Sequence, residues 1–271
     1  MLCTPDKVEA FRRLHESGCF VIPNPWDAGS ARLLASLGFQ ALATTSSGFA
    51  WTLGRRDNAV TLEEALAHLT AVAAAVDLPV SADFEHGFAR DPEAVAANVT
   101  RAAATGIAGL SIEDSTGDPS APLFDFDVAV ERVRAARRAL DSSGANLVLT
   151  ARSEGFLVGK PNLPETLRRL EAYAAAGADC LYAPRVVSMS DIAAIVHTVD
   201  PKPVNVLVGS GFATVAQLAD LGVRRISVGG GLARAAWTGF LDAANEIARE
   251  GTFERLGRAI PFADFDSRFP G

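Results

Sequence analysis

Eight times along this chain a short apolar run is followed by a segment of helical spacing, and that alternation limits the possible folds more than any other feature. The runs fall at 19–26, 39–48, 79–83, 109–113, 147–152, 180–184, 203–208 and 225–229. Most are nearly continuous in apolar character, as expected of parallel strands covered on both faces. After an opening helix, helical stretches follow each run: from Asp27 to Gly38, from Thr61 to Val76, then at 92–105, 127–140, 163–176, 189–198, 214–221 and a last one to about Glu250. Asp27 stands at an N-cap position, and Thr61 with Glu64 forms a capping box. No linker or low-complexity tract divides the series, so the 271 residues read as a single domain. Eight strand-then-helix units predict an α/β fold, a (β/α)8 TIM barrel, which needs about 250 residues, with a C-terminal helical extension. A doubly wound sheet is the rival, because VGGGLAR (228–234) suggests a phosphate loop; it lacks both G-x-G-x-x-G and the P-loop lysine.

Three of the runs end in charge. LPVSADFEHGF (78–88) runs out into Asp83, Glu85 and Gly87, GLSIEDS ends in Glu113 and Asp114, and LVLTARSEGF closes with Arg152 and Glu154. Strands that each end in charge make sense if their carboxyl ends converge on one polar site, which is where a barrel of this kind places it. The second run exits through Thr45, Ser46, Ser47 and Gly48, a small polar loop suited to a carboxylate or phosphate. The following stretch FAWTLGRRDNAV (49–60) reads as a long loop in which Arg55, Arg56 and Asp57 crowd together.

Composition excludes some partners. A net charge of −7 argues against a nucleic-acid surface, without excluding small anions held by local arginines. No stretch approaches the ~20 apolar residues of a membrane span, and the amino terminus lacks an apolar targeting core, so a cytoplasmic protein is expected. Cys3, Cys19 and Cys180 are widely spaced, with no C-x-x-C pair; the latter two begin apolar strands and read as buried thiols.

The segments NPWDAGSARL, TSSGF, GRRDN, SADFEHGF, LSIEDS and LTARSE resemble, in order and spacing, the strand-end motifs of the phosphoenolpyruvate mutase/isocitrate lyase superfamily. The resemblance spans about Val8 to Arg249. It implies that Ser46, Ser47 and Gly48 bind a substrate carboxylate, that Asp57 faces the reacting centre, and that Arg152 clamps the oxyanion. Asp83, Glu85 and Glu113 would hold Mg²⁺, largely through water, with Glu113 also in the catalytic set. Asn205 would line the far wall, and Trp26, Phe49, Trp51, Arg185 and the 115–127 loop would shape the pocket mouth. Physical chemistry supports the metal: carboxylates about 5 Å apart repel by roughly 3 kcal/mol per pair at an effective dielectric near 20. Oxygen-only ligands favour Mg²⁺ or Mn²⁺ over zinc. His86 reads as an outlying or exposed neighbour of these acids, and the alternative for Arg152 is a structural ion pair with Glu113 or Glu154.

Two departures from the family narrow the chemistry. The lyases carry a lysine-rich loop after the fourth strand whose cysteine transfers a proton, whereas STGDPSAPLFDFD (115–127) holds no cysteine, lysine or histidine. The sixth strand ends in YAPRVV (182–187), where the mutases carry a histidine. What these departures leave is an enolate formed from a 2-oxo acid on a metal, which needs no thiol. A Mg²⁺-dependent decarboxylase or C–C lyase acting on an oxaloacetate-like 2-oxo carboxylate ranks first. A 2-oxo acid binding protein with little turnover ranks second, and phosphonate P–C chemistry third. Phe253, Phe262, Phe265 and Phe269 lie beyond the last barrel helix in 252–271. With the family's habit of exchanging that helix, they imply a homodimer or homotetramer with exchanged C-terminal helices.

Overall fold

Along each strand of the barrel, alternate residues face opposite ways, and that parity separates a greasy outer layer from a polar interior. The computed structural model describes residues 3–269. Its strands are β1 (Phe20–Ile22), β2 (Leu42–Ala43), β3 (Val80–Asp83), β4 (Gly109–Glu113), β5 (Val148–Arg152), β6 (Cys180–Tyr182), β7 (Val204–Leu207) and β8 (Arg225–Ser227). All pair in parallel, in the order β1-β8-β7-β6-β5-β4-β3-β2. The helices are α1 (Pro5–Leu14), α2 (Ala28–Ser36), α3 (Ser46–Thr52), α4 (Leu62–Ala75), α5 (Pro92–Ala103) and α6 (Phe126–Ser142). There follow α7 (Leu163–Ala175), α8 (Met189–Val199), α9 (Val215–Asp220), α10 (Gly231–Glu250) and α11 (Phe262–Asp266). The architecture is the expected (β/α)8 barrel with a C-terminal helical extension.

Ala82, Leu110, Ile112, Leu149, Ala151, Leu181, Val206 and Ile226 point outward into the main apolar core under the helices. Their neighbours Ser81, Ser111, Asn205, Arg225 and Ser227 line a central cavity instead. A barrel interior is more often filled by Val, Ile and Leu. The amino ends of the strands are closed by α1, whose Phe11 is fully buried and lies edge-on to Phe20 and His15. Gly109 permits this plug, because a Cβ there would stand 2.9 Å from the Phe11 ring and 2.7 Å from the Val148 carbonyl.

The barrel closes between β1 and β2 with no ladder. One backbone bond joins them, from the Ala43 N–H to the Pro23 carbonyl at 3.1 Å. The buried side chain of Asn24 completes the seam. Its Nδ2 donates to the Thr44 carbonyl at 3.0 Å, and its Oδ1 accepts from the N–H groups of Val228 (2.9 Å) and Gly229 (2.8 Å).

Both capping expectations hold: Asp27 accepts from the Ser30 N–H, and Thr61 with Glu64 forms the reciprocal box. The second unit differs from its sequence reading. Its strand is only Leu42–Ala43, and the residues read as a serine-glycine loop and the start of 49–60 form α3, capped by Thr45. The reason is local, since the Thr45 hydroxyl meets the Gly48 N–H and the segment packs on Trp26. Cys180 is buried as expected, whereas Cys19 is only half-buried.

Only Ala233 and Glu246 are buried along α10, which leaves Trp237, Phe240, Leu241 and Ile247 on an exposed apolar face. After Gly251 the chain turns back around Glu246, whose carboxylate accepts from Thr252 Oγ1, Glu254 N–H and Arg255 N–H. Phe262 is 84% exposed, but Phe269 packs within the chain beside Gly29 at the start of α2. No helix among the described residues is long and apolar enough to cross a membrane.

Removing the seam side chain leaves three backbone groups without their partner: the buried Thr44 carbonyl and the half-buried N–H groups of Val228 and Gly229. Asn24→Ala is therefore expected to lower unfolding stability by about 2–3 kcal/mol with native far-UV circular dichroism retained. A urea midpoint equal to wild type would refute the seam role.

Candidate functional site

The carboxyl ends of β3, β4 and β5 meet because their registers pair Asp83 with Ser111 and Glu113 with Arg152. The Arg152 guanidinium then reaches three acids. Nη1 lies 2.7 Å from Asp83 Oδ1, Nη2 3.1 Å from Glu113 Oε2, and Nε 2.7 Å from Glu154 Oε1. Both readings of Arg152 bear on this geometry: it is a buried ion-pair hub, and it also borders the cavity. Burial opposes its charge, but Glu154, Glu113 and Asp83 together hold it firmly ionised. The second oxygen of Asp83 accepts from the Ser46 N–H at 2.9 Å, and Ser46 Oγ donates to Asp57 Oδ1 at 3.1 Å.

The acids outnumber the cation. Burial first, then Asp83 and Asp57, push the Glu85 carboxyl up to about 8. Burial also raises Asp57, with Asp83 adding to it, and raises Glu113 well above the usual range against the pull of Arg152. Glu85 is held at φ 47°, in the left-handed region that a non-glycine residue occupies at a cost of about 1 kcal/mol or more. Its carbonyl accepts from the Glu113 N–H at 3.1 Å, which ties the two turns together. Among the described residues, no three His, Cys, Asp or Glu side chains stand close enough to ligate one ion directly.

These groups surround a cavity of about 200 Å³. Of the residues singled out from sequence, Ser46, Ser47, Asp57, Asp83, Arg152 and Asn205 line it. Glu85 faces a smaller void beside Asp83 and Thr44, and Glu113 stands behind Arg152. Gly48 does not line the cavity: its N–H is taken by Thr45 Oγ1, and a Cβ there would stand 2.9 Å from Trp26 Cβ, so it serves packing. Trp26 is likewise outside, packed on α3 with its carbonyl bonded to His68 Nε2 at 2.9 Å.

The residues expected at the mouth are placed elsewhere. Phe49 stacks on His68 at 3.8 Å, Trp51 lines a separate groove with Trp237, and Arg185 is exposed. Leu157, Pro184, Leu207, Gly229 and Gly230 border the cavity in their stead. The 115–127 segment folds back on itself through a Ser115–Leu123 bridge and a Thr116 N–H to Pro122 bond, with Phe124 buried under the Arg132 guanidinium. None of it lines the cavity. His86 is half-buried, and its imidazole is held below its ordinary value by burial and then by Arg132 and Arg90. Within the arginine pair Arg55 turns to Glu64, and Arg56 is exposed.

Asp114 faces away from its neighbour Glu113, as strand parity requires. It accepts from Tyr173 Oη (2.7 Å), Arg169 Nη1 (3.0 Å) and the Glu154 N–H (2.7 Å), and so fixes the turn that delivers Glu154 to Arg152. Asn24, Tyr182, Arg225 and Ser227 also line the cavity and were not singled out from sequence. Parity offered a signal for two of them: Tyr182 faces inward beside Arg152, and Arg225 lies two residues before the inward Ser227.

Comparison with known proteins places this geometry. The phosphoenolpyruvate phosphomutase family model matches residues 11–248. A crystal structure from Burkholderia cenocepacia J2315 is 48% identical and superposes with a TM-score of 0.95, over 98% of this chain and 96% of that one. An uncharacterized protein of Mycobacterium tuberculosis is 31% identical over 96% of this chain and 95% of its own length. An oxaloacetate decarboxylase of Pseudomonas putida (strain GB-1) is 34% identical over 64% of this chain and 60% of its own. The structure of 2,3-dimethylmalate lyase, at 25% identity, covers 97% of this chain and 94% of its own with a TM-score of 0.85.

The crowded acids give a pH dependence with a definite sign. Glu85 binds its proton more tightly folded (about 8) than unfolded (4.5), so metal-free stability falls as pH rises between these values and levels off above them. In EDTA, urea midpoints from pH 5 to 9 should fall accordingly, with Glu113 acting in the same direction. Glu85→Gln should flatten the slope and stabilise the protein at pH 8.5 by on the order of 2 kcal/mol. An unchanged slope in the variant would remove Glu85 as its source.

Proposed function

The chain belongs to the phosphoenolpyruvate mutase/isocitrate lyase superfamily, and on that premise we propose that it is a Mg²⁺-dependent lyase cleaving a C–C bond in a small 2-oxo carboxylic acid, such as oxaloacetate, through an enolate. One observation carries the reading: the Arg152 guanidinium, shared by Asp83, Glu113 and Glu154, borders a cavity at the acid-rich ends of β3, β4 and β5. The oxygen-only donor set around Asp83, Glu85 and Glu113 fits a hard divalent cation, Mg²⁺ or Mn²⁺, that keeps much of its water. Such an ion, when bound, polarises the 2-oxo group and offsets the charge that builds on it.

The chain's own residues supply the rest. Two hydrogen bonds, to Asp83 and Glu154, and the ion pair with Glu113 lock the Arg152 fork; its remaining N–H groups are left for a developing oxyanion. Ser47 offers a hydroxyl at the N-terminus of α3 to a carboxylate, while the Ser46 hydroxyl is held by Asp57. Decarboxylation breaks the C3–C4 bond, releases CO2 and leaves the electron pair in the C2–C3 enolate, so no base starts the reaction. Among the described residues no cysteine, lysine or histidine lines the cavity, which favours this step over retro-aldol cleavage.

The exposed apolar face of α10 suggests the assembly. We propose that a second copy covers Trp237, Phe240 and Leu241, with α10 exchanged between neighbours in a homodimer or homotetramer. Light scattering at micromolar concentration should return a multiple of the 28.4 kDa chain mass, and a monomer mass would refute the exchange.

For the reaction, purified protein with Mg²⁺ should consume oxaloacetate faster than Mg²⁺ alone, lose that activity in EDTA, and leave isocitrate and 2-methylisocitrate intact. Asp83→Asn, which keeps an acceptor for the Ser46 N–H, should weaken Mg²⁺ at least about tenfold while the far-UV spectrum is unchanged. Robust cleavage of isocitrate, or full activity in EDTA, would overturn the assignment. Tight binding of 2-oxo acids without product would replace the lyase with a binding protein.

A further inference from the structure

An enolate left by C–C cleavage must take a proton at C3, and the usual thiol for that step is missing from the cavity. The cavity wall opposite the acids carries a chain of hydrogen bonds whose direction is set at its buried end. His15 Nδ1 bonds the Phe11 carbonyl at 2.8 Å, so this nitrogen carries the hydrogen and Nε2 is an acceptor facing Arg225 Nη1 at 3.3 Å. Burial, with Arg225 adding to it, holds that imidazole at about 3 and therefore neutral. Arg225 is buried, and it donates from Nη2 to Thr150 Oγ1 (3.0 Å) and from Nε to Asn205 Oδ1 (2.9 Å).

A guanidinium has donors only, so the Asn205 amide has one allowed orientation. Its oxygen faces Arg225, and its Nδ2 donates to Ser227 Oγ at 2.9 Å. Ser227 Oγ accepts there, and it stands beside the phenol of Tyr182, whose ionised form it favours. Tyr182 lines the cavity at the end of β6, between Arg152 and Asn205 in register. The Arg152 guanidinium stands 5.2 Å from the Tyr182 ring, so a phenolate formed beside it would meet a fixed positive charge.

Building on the proposed lyase reaction, we propose that Tyr182 delivers the proton to C3 of the enolate, with Ser227, Asn205 and Arg225 as the residues that position its O–H. The Tyr182 Oη–H bond breaks as a C3–H bond forms, the enolate returns to the 2-oxo acid, and the phenolate regains its proton from water once product leaves. Burial keeps the phenol protonated until that moment, pushed up to about 12.

The test separates cleavage from protonation. Wild type and Tyr182→Phe are given oxaloacetate and Mg²⁺, while CO2 release and keto-pyruvate, read by coupled reduction, are followed together. Wild type should show both at one rate. Tyr182→Phe should still release CO2 at a tenth or more of the wild-type rate, with keto-pyruvate lagging because free enolpyruvate ketonises in solution. More buffer catalyst should shorten that lag. Keto-pyruvate without a lag from the variant would overturn the proposal. So would a natively folded variant that releases no CO2, since proton delivery follows bond cleavage. Wild type that releases no CO2 from oxaloacetate would instead remove the lyase reading beneath it.

Discussion

The guanidinium of Arg152 is the interaction on which the site depends, because Asp83, Glu113 and Glu154 all lean on it from different strand ends. Burying a carboxylate costs several kcal/mol unless it is paired, and here a single cation serves three. Part of the charge conflict therefore remains, and it shows in the raised carboxyls of Glu85 and Glu113 and in the left-handed backbone of Glu85. A scaffold that tolerates such crowding is poised to gain from a cation or from a ligand that reorganises the cluster.

That crowding is possible because the barrel is plugged from below and stitched at its seam. Phe11 of α1 seals the amino ends, so the polar layer of Ser81, Ser111, Thr150, Asn205 and Arg225 lies above a closed floor. Asn24 supplies at the seam the hydrogen bonds that β1 and β2 do not make as a ladder, and in doing so joins β8 to β2. The cavity and the closure of the fold are thus built from the same residues. Polar interiors of this kind exchange some core stability for a preorganised site.

The two segments that depart most from a bare barrel work in opposite ways. The 115–127 segment is tied down by its own bridge and by Phe124 under Arg132, away from the cavity. By contrast α10 leaves its apolar face open along most of its length, although Glu246 and Phe269 fold the following residues back on the chain. The first arrangement removes a loop from the chemistry, and the second leaves a surface that one chain does not cover.

Much of this protein is local and therefore legible in its sequence. Short, nearly continuous apolar runs alternating with segments of helical spacing announce eight strand–helix units, Asp27 and Thr61 with Glu64 mark helix starts, and charge at the ends of β3, β4 and β5 marks the convergence of Asp83, Glu113 and Arg152. Other features depend on which distant residues share a register. Asn24 meets Val228, Arg225 meets Asn205 and Thr150, and Glu154 is delivered by Asp114 and Tyr173, across separations that no local pattern encodes. The same reason removes Gly48 and Trp26 from the cavity, since their packing against each other forms only once α3 docks. Local chemistry decided what each strand end carries; closure of the barrel decided which of those groups face one another.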